Sequence, residues 1–306
     1  MKARAILNPR AGLKARHALE SLRSGRPSWR ALDIVLTEAP GDATRLAREA
    51  ALRGDDAVIA VGGDGTVNEV AAGLVGTGTA LGIVPMGSGN GLARTLGLPL
   101  RPAAALIALE SAVTRRMDVG RVNERLFLNV AGAGFDATVG EDFHAHGRAG
   151  GRRGVMTYVR LSARRIFSYV PESWTLRAGD HRFEGRALLI AFVNGRQYGG
   201  GATLSPGGRM DDGAFEVMVI EDAPAWELLL GAPRLFLGGL EGFRPYKLFP
   251  ATEAVLEGPA AFPHHRDGEP EEPVSRLEVH LDLRALSVLV PATTANDPRG
   301  PFGPAV

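Results

Sequence analysis

The chain has 306 residues, 45% hydrophobic and 23% charged, a balance that excludes disordered, collagen-like and coiled-coil proteins. Lys+Arg 35 against Asp+Glu 34 leaves a net charge of +1, so no global field marks a nucleic-acid binder. Cysteine is absent, which removes a disulfide frame, a Cys zinc site and a thiol nucleophile.

The first part of the chain alternates. Ala3–Leu7 is predicted as a short apolar strand, Asn8–Gly12 as a loop and Lys14–Ser24 as a helix. Strand Leu32–Leu36 is followed by helix Asp42–Arg53, strand Ala57–Val61 by helix Val67–Val75, and strand Leu81–Val84 by a helix near Leu92–Leu96. Apolar strands alternating with helices indicate a parallel sheet covered on both faces, whose ligands sit at the carboxyl ends of strands. After about residue 115 the pattern changes. Arg125–Ala131, Ser173–Ala178, Ala187–Val193, Ala214–Ile220, Leu277–Leu281 and Leu286–Val290 read as strands, and only Val155–Tyr169 and Pro224–Leu240 read as helical. The expected fold is α/β plus β, with an α/β domain over 1–122 and a β-rich domain over 123–284. Residues 293–306 are expected to form a disordered tail.

No segment is predicted to span a membrane. The most apolar stretch, Trp226–Leu240, is broken by Glu227, Pro233 and Arg234 and reads best as a core helix, with a lipid-entry groove or a dimer surface as alternatives. The N-terminus lacks the apolar core of a signal peptide, so the expected home is the cytoplasm.

Two glycine-rich turns carry the chemistry. Strand Ala57–Val61 runs into Gly62-Gly63-Asp64-Gly65-Thr66 and then a helix that includes Val67 and Asn68. Glycines let the backbone approach a ligand, and the first helical N–H groups suit an anion. Thr66 could cap the helix or bond a phosphate oxygen. Asp64 repels phosphate and makes sense on Mg²⁺ or on an attacking hydroxyl. Taken alone, GGDG reads as a tight strand-to-helix turn. The second turn, Gly87-Ser88-Gly89-Asn90-Gly91, repeats the design after the next strand, and the pair would face one crevice and cradle one polyphosphate. Asn8-Pro9-Arg10-Ala11-Gly12 forms a third loop on the same edge. The chain contains no P-loop and no Gly-x-Ser-x-Gly nucleophile elbow. Its seven histidines include His144-x-His146 and His264-His265, neither with a third ligand at useful spacing.

In order along the chain stand Asn8-Pro9-x-x-Gly12, Gly62-Gly63-Asp64-Gly65-Thr66-x-Asn68-Glu69, Gly87-Ser88-Gly89-Asn90, Met117-Asp118-Val119-Gly120, Tyr198-Gly199-Gly200-Gly201, Asp212-Gly213 and Asp267-Gly268-Glu269. This series resembles the diacylglycerol/sphingosine kinase family, most of all its soluble bacterial lipid kinases, and spans Ala3 to about Val290. The resemblance implies a Rossmann-like nucleotide domain of NAD kinase/phosphofructokinase type, a C-terminal β-sandwich with the nucleotide in the cleft between them, and a strand within 285–292 that returns to the first domain. It implies ATP held by Asn8, Pro9, Arg10, Ala11, Gly12, Thr37, the Gly62–Asn68 turn and the Gly87–Asn90 turn. The general base would be Asp267 or Glu269, as in bacterial lipid kinases, or Asp64, which matches the aspartate assigned that role in sphingosine kinases. A structural Mg²⁺ would be bound by the Asp212 carboxylate and the backbone carbonyls of Arg209 and Ala214, with Asp118 in a second metal network near the nucleotide. Read without the family, DDG is a hairpin turn and DGE a turn in an acidic, Pro-rich surface loop.

One departure stands out. Several bacterial members carry Asp where this chain has Gly91, which removes a carboxylate from the catalytic metal network and leaves diacylglycerol in doubt as the substrate. Arg148, Arg152, Arg153, Arg160, Arg164 and Arg165 form a basic cluster that could meet ATP phosphates, Arg152 or Arg153 first, or an anionic membrane; a solvated helix face accounts equally well for the others. The resemblance therefore implies an ATP- and Mg²⁺-dependent lipid kinase acting peripherally at the inner membrane face, with a homodimer suggested by relatives. The alternatives are an NAD-kinase-like phosphotransferase on a soluble substrate and a catalytically silent nucleotide- or lipid-binding relative.

Overall fold

A computed structural model describes residues 1–9, 20, 29–152 and 154–304. Arg10, Ala11 and Gly12, the helix expected over Lys14–Ser24, and Arg153 lie outside the described residues. The chain divides into two compact units, one of residues 1–119 and 283–306, the other of residues 120–282.

The first unit contains β1 (Lys2–Leu7), β2 (Ala31–Leu36), α1 (Asp42–Leu52), β3 (Ala57–Gly62), α2 (Asp64–Leu74), β4 (Ala80–Pro85), α3 (Gly91–Thr95), α4 (Pro102–Glu110) and most of β5 (Val113–Val122). The strand order is β2-β1-β3-β4, all parallel. Every residue of β3 and β4 is buried, the physical reason these strands read as unbroken apolar runs. Leu7 lies level with Leu36 and Val61, and Gly62 with Pro85, so the turns after all four strands emerge at one edge. The chain's last strand returns to this sheet, where Val288 pairs parallel with Leu81.

The tail is not disordered over its described part. Ala292–Ala295 is a short helix, Ala295 is buried, and Phe302 is 1% exposed. The Arg115 guanidinium stacks 5.2 Å from the Phe302 ring centroid and donates to the Gly303 carbonyl at 2.6 Å. One aromatic side chain anchors a segment whose composition reads as solvated.

The second unit is a β-sandwich. Its elements are β6 (Arg125–Phe127), β7 (Val130–Gly134), α5 (Phe135–Arg148), α6 (Val155–Arg165), β8 (Glu172–Ala178), β9 (His181–Val193), β10 (Phe215–Glu221), α7 (Ala225–Gly231), β11 (Tyr246–Ala251), β12 (Glu253–Arg266) and the first part of β13 (Glu269–Val290). Strands run antiparallel in the order β11-β10-β9-β7-β12, and β8 pairs with both β9 and β12. Phe215, Val217 and Val219 face an interior containing Trp174, Phe192 and Phe262. Met218 and Ile220 face an outer layer with Ile166, Leu228 and Leu240. Burial on both faces hides the period of two.

Several elements differ from expectation. α5 reads as polar in sequence yet forms 14 residues of helix, with Asp136, Ala137, Val139 and Gly140 buried. The strands expected at Leu277–Leu281 and Leu286–Val290 are one 22-residue strand, broken in direction where Arg284 adopts φ 48°. The region Pro224–Leu240 is not a plain core helix. It is α7 followed by a 3₁₀ turn over Ala232–Phe236, and Trp226, Leu230, Phe236 and Leu237 are exposed.

Two predictions follow from this packing. Phe302→Ala is expected to lower stability by about 3–5 kcal/mol, measured by urea unfolding. Burial of His264 in β12 pushes its pKa below the usual 6.5. Its stabilising contribution is complete above that value and is lost as pH falls from it toward the native value, because only the unfolded chain then takes up the proton. His264→Gln is expected to flatten the loss of unfolding free energy below pH 6.5 by up to about 1.4 kcal/mol per pH unit.

Candidate active site

In the first unit the two glycine-rich turns are locked together. The Asp64 carboxylate accepts the Asn90 N–H at 2.9 Å through Oδ2 and the Gly91 N–H at 3.0 Å through Oδ1. Asn90, at φ 53°, returns its own side chain to Gly87, accepting from the N–H at 2.9 Å and donating to the carbonyl at 2.9 Å. Gly63 and Gly87 meet backbone to backbone; a Cβ on Gly87 would stand 3.0 Å from the Gly63 Cα and 2.9 Å from Asn90 Oδ1. Two strand-to-helix turns can approach this closely only where both lack side chains.

α2 begins at Asp64, so Gly65 and Thr66 form its first turn, and its N-cap Gly63 makes no side-chain cap bond. Thr66 therefore does not cap the helix. Its buried hydroxyl accepts from Asn8 Nδ2 at 3.3 Å, which ties the loop after β1 to the loop after β3. A crevice of about 110 Å³ opens beside this pair, lined by Asn8, Pro9, Thr37, Thr66 and Glu69 among others. The Thr37 backbone is fixed by its N–H to the Leu7 carbonyl at 3.1 Å. Glu69 Oε2 accepts the N–H groups of Gly41 at 3.0 Å and Ala43 at 3.2 Å, closing the start of α1 against α2. Ser88 is exposed at the tip of the second turn. Asp118 is buried and accepts the Arg284 N–H at 2.6 Å, which holds the bend in the last strand.

The carboxylates of Asp267-Gly268-Glu269 lie in the second unit. The segment is the two-residue turn of the β12–β13 hairpin, with φ 49° at Asp267 and 85° at Gly268 and with Arg266 paired to Glu269. The Asp267 carboxylate accepts three backbone N–H groups, from Leu128 at 2.8 Å, Asn129 at 2.8 Å and Val130 at 3.0 Å. Its own N–H donates to the Val130 carbonyl at 2.8 Å. Asp267 thus fastens the hairpin to β7. The Glu269 side chain is 53% exposed, with His144 Nε2 3.8 Å from its Oε2. His144 Nε2 also lies 3.1 Å from the Gly268 carbonyl oxygen, the contact of an imidazole N–H donating to it.

Behind the turn is a buried polar cluster that the sequence motifs do not reveal. His265 Nε2 lies 2.9 Å from Asp136 Oδ2, and the Tyr198 hydroxyl donates to the same oxygen. Both Asp136 and His265 are almost fully buried. Gly132 makes room for the pair, since a Cβ there would stand 2.3 Å from Asp136 Oδ2. Burial and then the Asp136 charge push the Tyr198 phenol well up, so it remains a donor. Tyr198 opens the Gly199-Gly200-Gly201 turn, and His265 precedes Asp267 by two residues, but no spacing rule links either to Asp136.

At the Arg209–Ala214 turn, Asp212 is exposed, Gly213 has φ 80°, and Asp212 Oδ1 accepts the Ala214 N–H at 3.2 Å. Burial and then the Asp212 charge push Glu216 above the ordinary carboxylate range. A carboxylate on a glycine turn, flanked by backbone oxygens and a second acid, is a donor set suited to a hard cation. Among the described residues no group of three or more His, Asp or Glu side chains could hold a metal, so an ion at this turn would rely on backbone oxygens.

The fold and these turns define a class: a Rossmann-like α/β unit of NAD kinase type joined to a β-sandwich, with paired glycine-rich turns at the strand ends. Residues 2–122 match the diacylglycerol kinase catalytic domain, and residues 129–290 match the YegS C-terminal NAD kinase beta sandwich-like domain. The chain belongs to the diacylglycerol kinase family of lipid kinases. It is 35% identical over 276 residues to a Pseudomonas aeruginosa protein named "Probable lipid kinase YegS-like", covering 87% of each chain. It is 31% identical over 236 residues to a Bacillus subtilis diacylglycerol kinase, covering 74% of this chain and 76% of that protein. A crystal structure of a diacylglycerol kinase from Bacillus anthracis shares the fold at TM-score 0.72 and 21% identity, over 95% of this chain and 97% of that one. An Archaeoglobus fulgidus NAD kinase, solved in complex with ATP, shares it at TM-score 0.52 and 12% identity, over 95% and 94%.

Asp267→Ala is expected to cost about 3 kcal/mol by leaving the buried N–H groups of residues 128–130 without their acceptor. Glu269→Ala is expected to change stability by no more than about 0.5 kcal/mol. Equal urea midpoints for the two variants would contradict the anchoring role of Asp267.

Proposed function

We propose that the chain is an ATP- and Mg²⁺-dependent kinase that transfers the γ-phosphate to a lipid hydroxyl at a membrane surface. The observation that carries this reading is the backbone contact between the Gly62–Thr66 and Gly87–Asn90 turns, held by Asp64 and Asn90. It leaves a glycine-lined helix start beside the Asn8–Thr66 crevice, suited to phosphate oxygens. Family membership supplies the lipid-kinase class.

Asp64, with both oxygens engaged by Asn90 and Gly91, holds the shape of the phosphate loops. Asp267 is likewise committed to backbone N–H groups. Glu269 is the exposed carboxylate and serves as the general base. It accepts the lipid hydroxyl proton as that oxygen bonds to the γ-phosphorus, and ADP departs with the electrons of the broken P–O bond. Asp267 and the His144 contact to Gly268 fix the turn from which Glu269 projects. The Asp212 carboxylate with the carbonyls of Arg209 and Ala214 would hold a structural Mg²⁺, and Asp118 remains the candidate for a network nearer the nucleotide. Mg²⁺, when bound, supplies positive charge against the phosphates and the acidic turn.

The test is transfer of labelled γ-phosphate from ATP–Mg²⁺ to micellar diacylglycerol, sphingosine, ceramide and phosphatidylglycerol, with NAD in the same panel. A labelled lipid is expected, and Glu269→Gln is expected to lower kcat by about 10²–10⁴ with the KM for ATP unchanged. Labelled NADP alone, or no product despite ATP binding, would overturn the reading.

A further inference from the structure

The peptide groups of Gly268 lie outside the strand ladder, which closes at the Arg266–Glu269 pair. Both are nevertheless held, each by an imidazole. The Gly268 N–H donates to His265 Nδ1 at 3.4 Å, and the Gly268 carbonyl lies 3.1 Å from His144 Nε2. Gly268 has φ 85°, and a Cβ on it would meet nothing within 4 Å. Packing therefore does not fix this residue, and the two imidazole contacts set the path of the chain into Glu269.

The contact to His265 fixes the state of a buried ring. A ring nitrogen that accepts a hydrogen bond carries no proton, so the His265 proton is on Nε2. That nitrogen faces Asp136 Oδ2 at 2.9 Å, with the Tyr198 oxygen 3.3 Å away. Oδ2 also accepts the Tyr198 hydroxyl, and Oδ1 accepts the Ala137 N–H at 2.8 Å. Asp136 thus faces donors alone, as an ionised carboxylate requires, and its place in the first turn of α5 suits its charge. His265 is 3% exposed and Asp136 4%, so water does not compete for these bonds. α5 reaches the one turn twice, through Asp136 and His265 from its first turn and through His144 from its second half.

We propose that His265, oriented by Asp136 and Tyr198, is a positioning residue for phosphoryl transfer: its Nδ1 holds the Gly268 N–H and so aims the Glu269 carboxylate. This deepens the lipid-kinase reading and rests on it. His265 acts through the Gly268 peptide and needs no contact with the reacting atoms. Aim matters because a base must stand within hydrogen-bond reach of the proton it takes.

Three variants of the full chain separate this role from mere support. His265→Asn places an amide oxygen where Nδ1 stands and keeps the acceptor for Gly268. His265→Gln keeps an amide N–H toward Asp136 and loses that acceptor. Asp136→Asn keeps its oxygen on the Ala137 N–H and turns its NH₂ toward His265, which draws the imidazole proton onto Nδ1 and sets it against the Gly268 N–H. With the same panel of micellar lipids, His265→Gln and Asp136→Asn are each expected to lower kcat roughly 10- to 100-fold with the KM for ATP unchanged. His265→Asn is expected to recover at least about fivefold of the His265→Gln loss. Imidazole nitrogen NMR spectra near neutral pH are expected to show His265 protonated at Nε2 alone in the wild type and at Nδ1 in Asp136→Asn. A wild-type ring protonated at Nδ1, equal kcat values for the Asn and Gln variants, or losses that merely follow the urea midpoints would each overturn the proposal. An absence of lipid transfer by the wild type counts against the kinase reading, while the spectra by themselves judge whether His265 holds the Gly268 N–H.

Discussion

The first unit depends on one carboxylate. Asp64 stands at the start of α2 and accepts the two N–H groups that open α3, so the ends of β3 and β4 are held by hydrogen bonds as well as by sheet register. A charged acceptor between two helix starts is well placed, because the orphan N–H groups and the helix dipoles favour negative charge there. The contact also accounts for the glycines. With Gly63 and Gly87 separated by little more than van der Waals distance, either side chain would push the turns apart. The buried N–H of Gly91 is part of the same clamp.

The second unit applies the same device at the DGE hairpin. Asp267 gathers three N–H groups of residues 128–130, and the turn residues adopt the left-handed conformations that a two-residue hairpin requires. The result is a division of labour within three residues: one carboxylate is consumed in fixing the backbone and the other projects from it. The Asp136–His265–Tyr198 cluster adds rigidity behind the turn, since a buried acid whose donors are a phenol and an imidazole has few other arrangements open to it. Family membership gives this geometry its chemical meaning; the fold alone, shared with an NAD kinase at 12% identity, would not.

The strands of the first unit and the ordered loop motifs were legible in the chain, because doubly buried parallel strands are apolar throughout and glycine turns leave a plain mark. The helix α5 was not. Its FDATVGEDFHAHGR sequence has only four buried positions, and its place is set by the outer core layer and by the Asp136 contact with His265. The long β13 strand was read as two because Arg284 turns its direction, and that bend is held by Asp118, remote in sequence. Phe302 anchors a tail of polar composition through a contact with Arg115, nearly two hundred residues earlier.

By itself the amino-acid order determined the α/β-then-β architecture, the glycine-rich turns at strand ends and the candidate acids, since local hydrophobic pattern and turn chemistry are properties of neighbouring residues. Only the tertiary structure decided what each acid does. Asp64, Asp118 and Asp267 are bound to backbone N–H groups brought from elsewhere in the chain, and Glu269 is left exposed. It also decided that Trp226 and Leu237 face outward, because a hydrophobic segment shows its apolar character in sequence but not which side the core covers. Hydrogen-bond partners and burial depend on long-range packing, and no spacing rule encodes them.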